Sequence, residues 1–427
     1  MRYNGSKYGN SEWSNTVVIN TLDIESKIAL YTSSTGYISI FKTIEIDGFI
    51  YGVGAAGATP KQQPIIVKLD SDLNIISYKI LPVGAITQIF FEIQHYNNNL
   101  YVCGNQSNLY KIDLNLNFIN HVSVNSNIYR FFSLTILNDF IYAIGSGTDG
   151  TNGVVYLSKF DMNFNLIKTI SLGILASVDY YQHIDNNGTD LFLSYTLYNT
   201  VNQTNNQVVS KIDINLNPIK RIYYPSTMMG EVRGIKVINN EVYCITLSAN
   251  SYYIVKHDFN LVLTRSTRIA MIGYYLDTII GFNNLLIVSG FGNETGSPLF
   301  IFDMDLNKIN LFVVNNLDNT TGSEIGRCFG NYKNKSLMYS GGVYISAATT
   351  PKGLVGLLDV TDDWLYSSSS LEITKYLDNN IIISTIGENI QQYVENSTIK
   401  NMGTLATSKN IPNTFISSVF TKEQFII

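Results

Sequence analysis

The chain holds seven arginines in 427 residues, and three of them, Arg130, Arg233 and Arg327, stand at the heads of alternating apolar stretches that recur along the sequence. Three guanidinium groups converging on one point could hold a carboxylate, because each planar fork binds it through two parallel hydrogen bonds. Tyr37, Tyr181 and Tyr274 occupy the same place in other copies of that stretch. Tyr and Arg are favoured contact residues at binding surfaces, so these six positions form the candidate binding set. Their simpler role would be to fill or solvate a space enclosed by the stretches. Hydrolysis of a glycosidic bond would need two carboxyl groups roughly 5–10 Å apart. Asp149, Asp179, Glu231, Glu294, Glu324, Asp362 and Asp363 fall in or near variable segments and are the available acids, with solvated loop charges as the plainer account. His95, His121, His183 and His257 make no HxH or HExxH spacing, and Cys103, Cys244 and Cys328 make no CxxC pair. No metal site, disulfide framework or cofactor is expected from such spacings. His257 takes a slot that is apolar in other copies, which predicts a hydrogen-bonded, half-buried imidazole.

The composition narrows the partners. Net charge is −5 without a basic stripe, whereas phosphate backbones require clustered Lys and Arg. Hydrophobic residues make up 45%, enough for a large core, and only 14% are charged, against roughly 25% in an average soluble domain. No apolar run is long enough to span a membrane as a helix. A surface wetted by neutral polar side chains suits an extracellular or virion-surface protein.

The elements that position these residues come from a repeat. One phrase returns as VKLDSDLNII at 67–76, YKIDLNLNFI at 110–119, SKFDMNFNLI at 158–167 and SKIDINLNPI at 210–219. Looser copies anchor the same aspartate at Asp258, Asp303 and Asp359, following Asp70, Asp113, Asp161 and Asp213. Before each Asp the alternation is that of a half-buried strand. The Asp side chain can bond backbone N–H groups and start a tight turn. The Asn that follows is expected to take the left-handed conformation, which is least costly for Asn among non-Gly residues. Calcium binding is not expected, because the loop lacks the Gly and terminal Glu of an EF-hand. Upstream of each phrase lies a second hairpin with an Asn/Asp/Gly-rich turn, such as YNNN at 96–99 or FNN at 282–284, followed by FIYGVG, LYVCGN, FIYAIG or LLIVSG. Four antiparallel strands, a to d, in about 45 residues make one blade of a β-propeller.

The ends of the chain set the predicted count. Residues 16–34 match strands c and d, and residues 414–427 match strands a and b, so the two ends together make one shared blade. Residues 369–407 read as a degenerate unit. The expectation is an all-β, single closed β-propeller of nine four-stranded blades over residues 16–427, with eight blades as the alternative count. Residues 1–15 form a polar N-terminal arm. The K-x-D-x-x-x-N-x-I phrase resembles the repeats of Kelch-, NHL- and related bacterial propellers. That resemblance covers nearly the whole chain and implies a fold without a particular activity.

In such a ring, strand a lines the central channel. The b–c and d–a loops carry the length variation, as at 198–206, 224–233, 315–327 and 343–352. Loops on a rigid frame are the usual seat of function. The expected function is a non-enzymatic interaction or structural module that binds a protein or glycan partner through the variable loop face. The alternative is a glycan-active enzyme with its site at the channel mouth. Sialidase-type propellers use three arginines on a substrate carboxylate, which Arg130, Arg233 and Arg327 resemble, but their S-x-D-x-G-x-x-W box is missing here.

Overall fold

The computed structural model describes residues 27–33, 38–57, 62–81, 88–124, 127–175, 182–200, 203–225, 233–248, 251–270, 274–292, 297–315, 325–332, 336–343 and 352–358, with short strands between 366 and 426. The described elements are all strands, arranged in seven sheets. Blade one is Ile38–Ile46, Phe49–Ala56, Gln63–Leu69 and Ile75–Ile80, paired antiparallel in chain order. Five further sheets repeat that order, with their a strands at Phe90–Tyr96, Ile128–Leu137, His183–Asn186, Ile235–Ile238 and Tyr274–Phe282. Blade seven takes strands a to c from Ile325–Tyr332, Ser336–Val343 and Lys352–Leu358, and its fourth strand is Lys27–Ser33. The a strand of each blade contacts the a strand of the next, and blade seven contacts blade one, so the ring is closed.

The chain is therefore an all-β propeller, but not one of nine blades. Of residues 16–34, the described strand 27–33 supplies only strand d of blade seven, paired Lys27↔Leu357 to Tyr31↔Gly353. The described part of residues 414–427 does not supply strands a and b. Their one described strand, Phe420–Ile426, pairs outside Lys27–Ser33 as a fifth strand, so the two ends do share a sheet. The described strands of the degenerate unit at 369–407 do not make a blade either. Glu372–Lys375 pairs with the outer strand of blade six, Ile382–Thr385 with that of blade five and Tyr393–Val394 with that of blade four. Lys400–Asn401 and Thr407–Ser408 do the same on blades three and two. These described strands visit the blades in reverse order, like a strap. An added edge strand satisfies the exposed N–H and C=O groups that an outermost strand otherwise leaves open.

The hydrophobic core lies between blades. One cluster joins Leu137, Tyr142 and Leu157 of blade three to Leu191, Tyr195 and Leu216 of blade four, and similar clusters sit at five other interfaces. The Asp phrase builds those interfaces. Asp113 Oδ1 accepts from the amides of Asn115 (2.8 Å) and Asn117 (2.7 Å), and its Oδ2 accepts from Asn117 Nδ2 (2.9 Å). The same closed loop forms at Asp70, Asp161, Asp213 and Asp303.

The left-handed residue is not the Asn. It is the apolar residue just before it, at Leu73, Leu116, Phe164, Leu216 and Leu306, and likewise Leu261, which Val262 follows, with φ between 54 and 64°. Each of these side chains is buried against the preceding blade or in the interface it shares with it. Burying a Leu is worth about 1.5–3 kcal/mol, which exceeds the roughly 1–2 kcal/mol cost of that backbone conformation. The Asn keeps its amide for the Asp. The a–b turns do follow expectation, with positive φ at both central residues of Asn97–Asn98, Asn138–Asp139, Asn239–Asn240 and Asn283–Asn284, as two-residue hairpins of the mirror-image type require.

Candidate functional site

Strand a carries a recurrent irregularity that shapes the channel. Its pairing with strand b slips by one residue between Ile40 and Lys42, Phe90 and Glu92, Phe131 and Ser133, and Leu276 and Thr278. Each slip is a β-bulge, which re-aims the side chain of the extra residue. In blades one to three that residue is Phe41, Phe91 or Phe132. The bulge presses a strand a carbonyl against strand b, and only glycine fits there. A Cβ on Gly54, Gly104 or Gly145 would lie 1.9 Å from Ser39 O, 2.1 Å from Ile89 O or 1.9 Å from Arg130 O. The final Gly of FIYGVG, LYVCGN and FIYAIG therefore marks the bulge across from it.

From the bulge to the a–b turn, the strand a residues enclose a cavity of about 390 Å³. Phe41, Phe91 and Phe132 lie side by side along three blades, with ring centroids 6.4 and 5.1 Å apart. The remaining wall mixes apolar residues such as Ile93, Ile184 and Ile279 with the polar side chains of Lys42, Glu45, Glu92, Gln94, His183, Asp185, Lys236 and Thr278. Lys42 Nζ lies 3.7 Å from Glu92 Oε2, joining blades one and two. Asp185 Oδ2 accepts from Lys236 Nζ (2.8 Å) and from the Val237 amide (2.9 Å), joining blades four and five. Burial pushes the Glu92 carboxyl above its ordinary range, against the opposing pull of Lys42. Burial, helped by the charges of Lys42 and Arg233, pulls the His183 imidazole down to about 3, so it is neutral at pH 7. Its Nε2 is shielded from solvent and has no hydrogen-bond partner among the described residues.

Of the six positions picked from the sequence, Arg130 and Arg233 are not among the residues that line this cavity. Arg130 precedes the bulge in blade three and lays its guanidinium over the Phe132 ring, 5.5 Å from the centroid. Arg233 is buried at the head of strand a in blade five. Tyr274 and Arg327 stand on strand a of blades six and seven, and Tyr37 and Tyr181 lie outside the described residues. Of the acids, Asp149 turns inward on its own loop, accepting from the amides of Thr151 (2.9 Å) and Asn152 (2.7 Å), which hold its carboxyl below the usual range. Asp179, Glu231, Glu294, Glu324, Asp362 and Asp363 lie outside the described residues, as do most of the long loops. Among the described residues, no group of three His, Cys, Asp or Glu side chains could hold a metal ion, and no helix is long and apolar enough to cross a membrane.

No protein-family model and no curated protein sequence matches the chain. Solved structures do match in shape. A crystal structure of the WD40 β-propeller domain of Doa1 superposes with a TM-score of 0.51 at 11% identity, covering 78% of this chain and 97% of that one. The WD40 domain of Neurospora crassa Pan2 gives 0.49 at 9% identity, covering 79% and 97%. BamB from Moraxella catarrhalis gives 0.47 at 9%, covering 77% and 99%. At such identities the likeness is one of fold.

Proposed function

We propose that this propeller is a non-enzymatic binding module, and that a protein partner engages it at the mouth of the central channel. The observation that carries this is the cavity wall. Three phenylalanines in a row, with Arg130 over the last of them, have the composition of an interface hot spot. A concave cavity of about 390 Å³ is large enough to receive an inserted side chain or chain end. The carboxylates beside it are engaged as ties between blades. The alternative, a glycan-active enzyme, draws on the contrast between Glu92, whose burial favours the protonated form, and Asp185, which lies 2.8 Å from Lys236 Nζ. Such a contrast is the pattern of an acid and a base.

A photo-crosslinking residue at Gln94, which lines the cavity, tests the two. The binding role expects one protein to be trapped there and not from Ile76 on the outer rim. The purified partner should then bind the Phe91→Ala chain roughly tenfold or more weakly. Release of aryl alcohol from aryl glycosides by the intact chain, lost in Glu92→Gln, would replace this role with the enzymatic one.

A further inference from the structure

We infer that the channel cavity takes an uncharged aromatic side chain from the protein partner, and that the chain carrying it runs out through a notch between blades five and six. This rests on the binding role proposed above and names what the partner presents. Two features of the wall select the side chain. Phe41, Phe91 and Phe132 are joined by Ile93, Ile184 and Ile279, so an entering ring meets apolar surface on several blades and leaves water. The charges of the wall are committed to one another. Among the described lining residues the lysines are Lys42, 3.7 Å from Glu92 Oε2, and Lys236, 2.8 Å from Asp185 Oδ2. The third lining carboxylate, Glu45, accepts the Gly48 amide at 2.6 Å. A charged group entering here would lose hydration and would have to break one of these ties to find a partner, whereas a neutral ring requires neither.

The notch selects a ring carried on a chain over a free one. A second cavity of about 230 Å³ adjoins the first, and Lys236 and Gly281 line both. Its wall includes the exposed turn residues Asn239, Asn283 and Asn284, so it reaches the a–b turn face. Gly281 keeps the passage clear, because a Cβ there would lie 2.7 Å from Ile238 Cδ1 across the blade interface. Asn side chains both donate and accept, which suits the N–H and C=O groups of a passing main chain. A free ring would use the first cavity alone. A residue within a chain fills both, its ring in the first and its flanking main chain in the second.

Calorimetric titration of the full chain with the blocked peptide acetyl-Gly-Trp-Gly-amide tests this. We expect it to bind, and the same peptide with Ala, Glu or Lys in place of Trp to bind roughly tenfold or more weakly. Methylindole, the ring without the main chain, should also bind roughly tenfold or more weakly. Phe91→Ala should weaken the Trp peptide and methylindole alike. Asn284→Gly removes the amide while suiting the φ of 60° at that turn position, and should weaken the Trp peptide and leave methylindole unchanged. Ile76→Ser, on the outer rim, should bind as the intact chain does. An Ala, Glu or Lys peptide that matches the Trp peptide, or no binding of the Trp peptide, overturns the aromatic site. Methylindole binding as tightly as the peptide, or an Asn284→Gly chain of unchanged peptide affinity, overturns the exit route. The Gln94 crosslink reports separately on the protein-binding role, which outlives a failure of the peptide if a partner is trapped and falls with it if none is.

Discussion

Tyr142 in blade three donates its hydroxyl to the main-chain carbonyl of Ile214 in blade four, 2.9 Å away. Lys159 Nζ donates to the same carbonyl at 2.9 Å. The pair recurs between blades one and two, where Tyr51 (3.0 Å) and Lys68 (3.1 Å) share Leu114 O. Between blades five and six, Tyr243 reaches Met304 O (2.9 Å) and Lys256 reaches Asp305 Oδ1 (3.1 Å). The acceptor sits in the turn opened by the repeated Asp, so that turn is a clasp between neighbours as well as the end of a hairpin.

Because Tyr142 and Lys159 share one acceptor, their removal should not be additive. Tyr142→Phe is expected to cost about 1 kcal/mol, and Lys159→Met a similar amount or less. The double variant should lose more than their sum, since only then is the carbonyl left without either donor. Urea unfolding midpoints of the four proteins measure the coupling. Strict additivity would mean that the shared carbonyl carries no cooperative role.

Leu216 combines burial with φ of 64°. Truncation to Ala should cost about 2–5 kcal/mol through the cavity it leaves. Gly in place of Ala ordinarily costs a further ~0.5–1 kcal/mol. Here Gly relieves a left-handed strain of about 1–2 kcal/mol. Leu216→Gly should therefore be no less stable than Leu216→Ala, and a clearly lower unfolding midpoint for the Gly protein would contradict the left-handed assignment.

His257 gives the fold a pH dependence. It is fully buried between blades four and five, hydrogen-bonded at Nε2 to the Tyr224 hydroxyl, and burial pulls it down to about 4. The unfolded chain takes up this proton near pH 6.5 and the folded chain only near 4. Stability is thus highest above pH 6.5, falls as pH drops through that window, and levels off below it. At 1.36 kcal/mol per unit the total is about 3 kcal/mol. His183 adds to the loss over the same range and somewhat lower, being pulled down to about 3. Asp213 and Asp303, held low by their turn amides, give up their share only at more acid pH. His257→Gln should flatten the fall in unfolding midpoint between pH 6.5 and 4, and an unchanged slope would assign it elsewhere.

Much of the fold was legible because it rests on side chains. The Asp113 and Asn117 pair has to be those residues for the loop to close, so it recurs visibly. The blade count was not, because the strap pairs through backbone. Lys400–Asn401 and Thr407–Ser408 lie on an outer edge, where any residue can supply N–H and C=O, and they carry no alternation that separates them from a decayed repeat. The left-handed Leu was hidden by the reasonable preference of Asn for that conformation, which tertiary burial outweighed. At the cavity, Arg130 was noticed for its type, whereas Phe91 and His183 looked like ordinary strand residues. A bulge shifts a period of two by one, so facing must be reset at each Gly such as Gly104. His183 has no partner in sequence because its electrostatic neighbours come from blades one and five.

The fourth strand of blade seven has a consequence in time. Lys27–Ser33 is synthesised before any blade, yet the strand it pairs with, Lys352–Leu358, appears more than three hundred residues later. At roughly 5–20 residues per second it waits roughly 15–65 s, with both hydrogen-bonding edges open. Its second partner, Phe420–Ile426, comes later still. The first described strand thus completes the last blade, and a nascent chain of this kind depends on that segment staying unengaged until the rest of the circle is made.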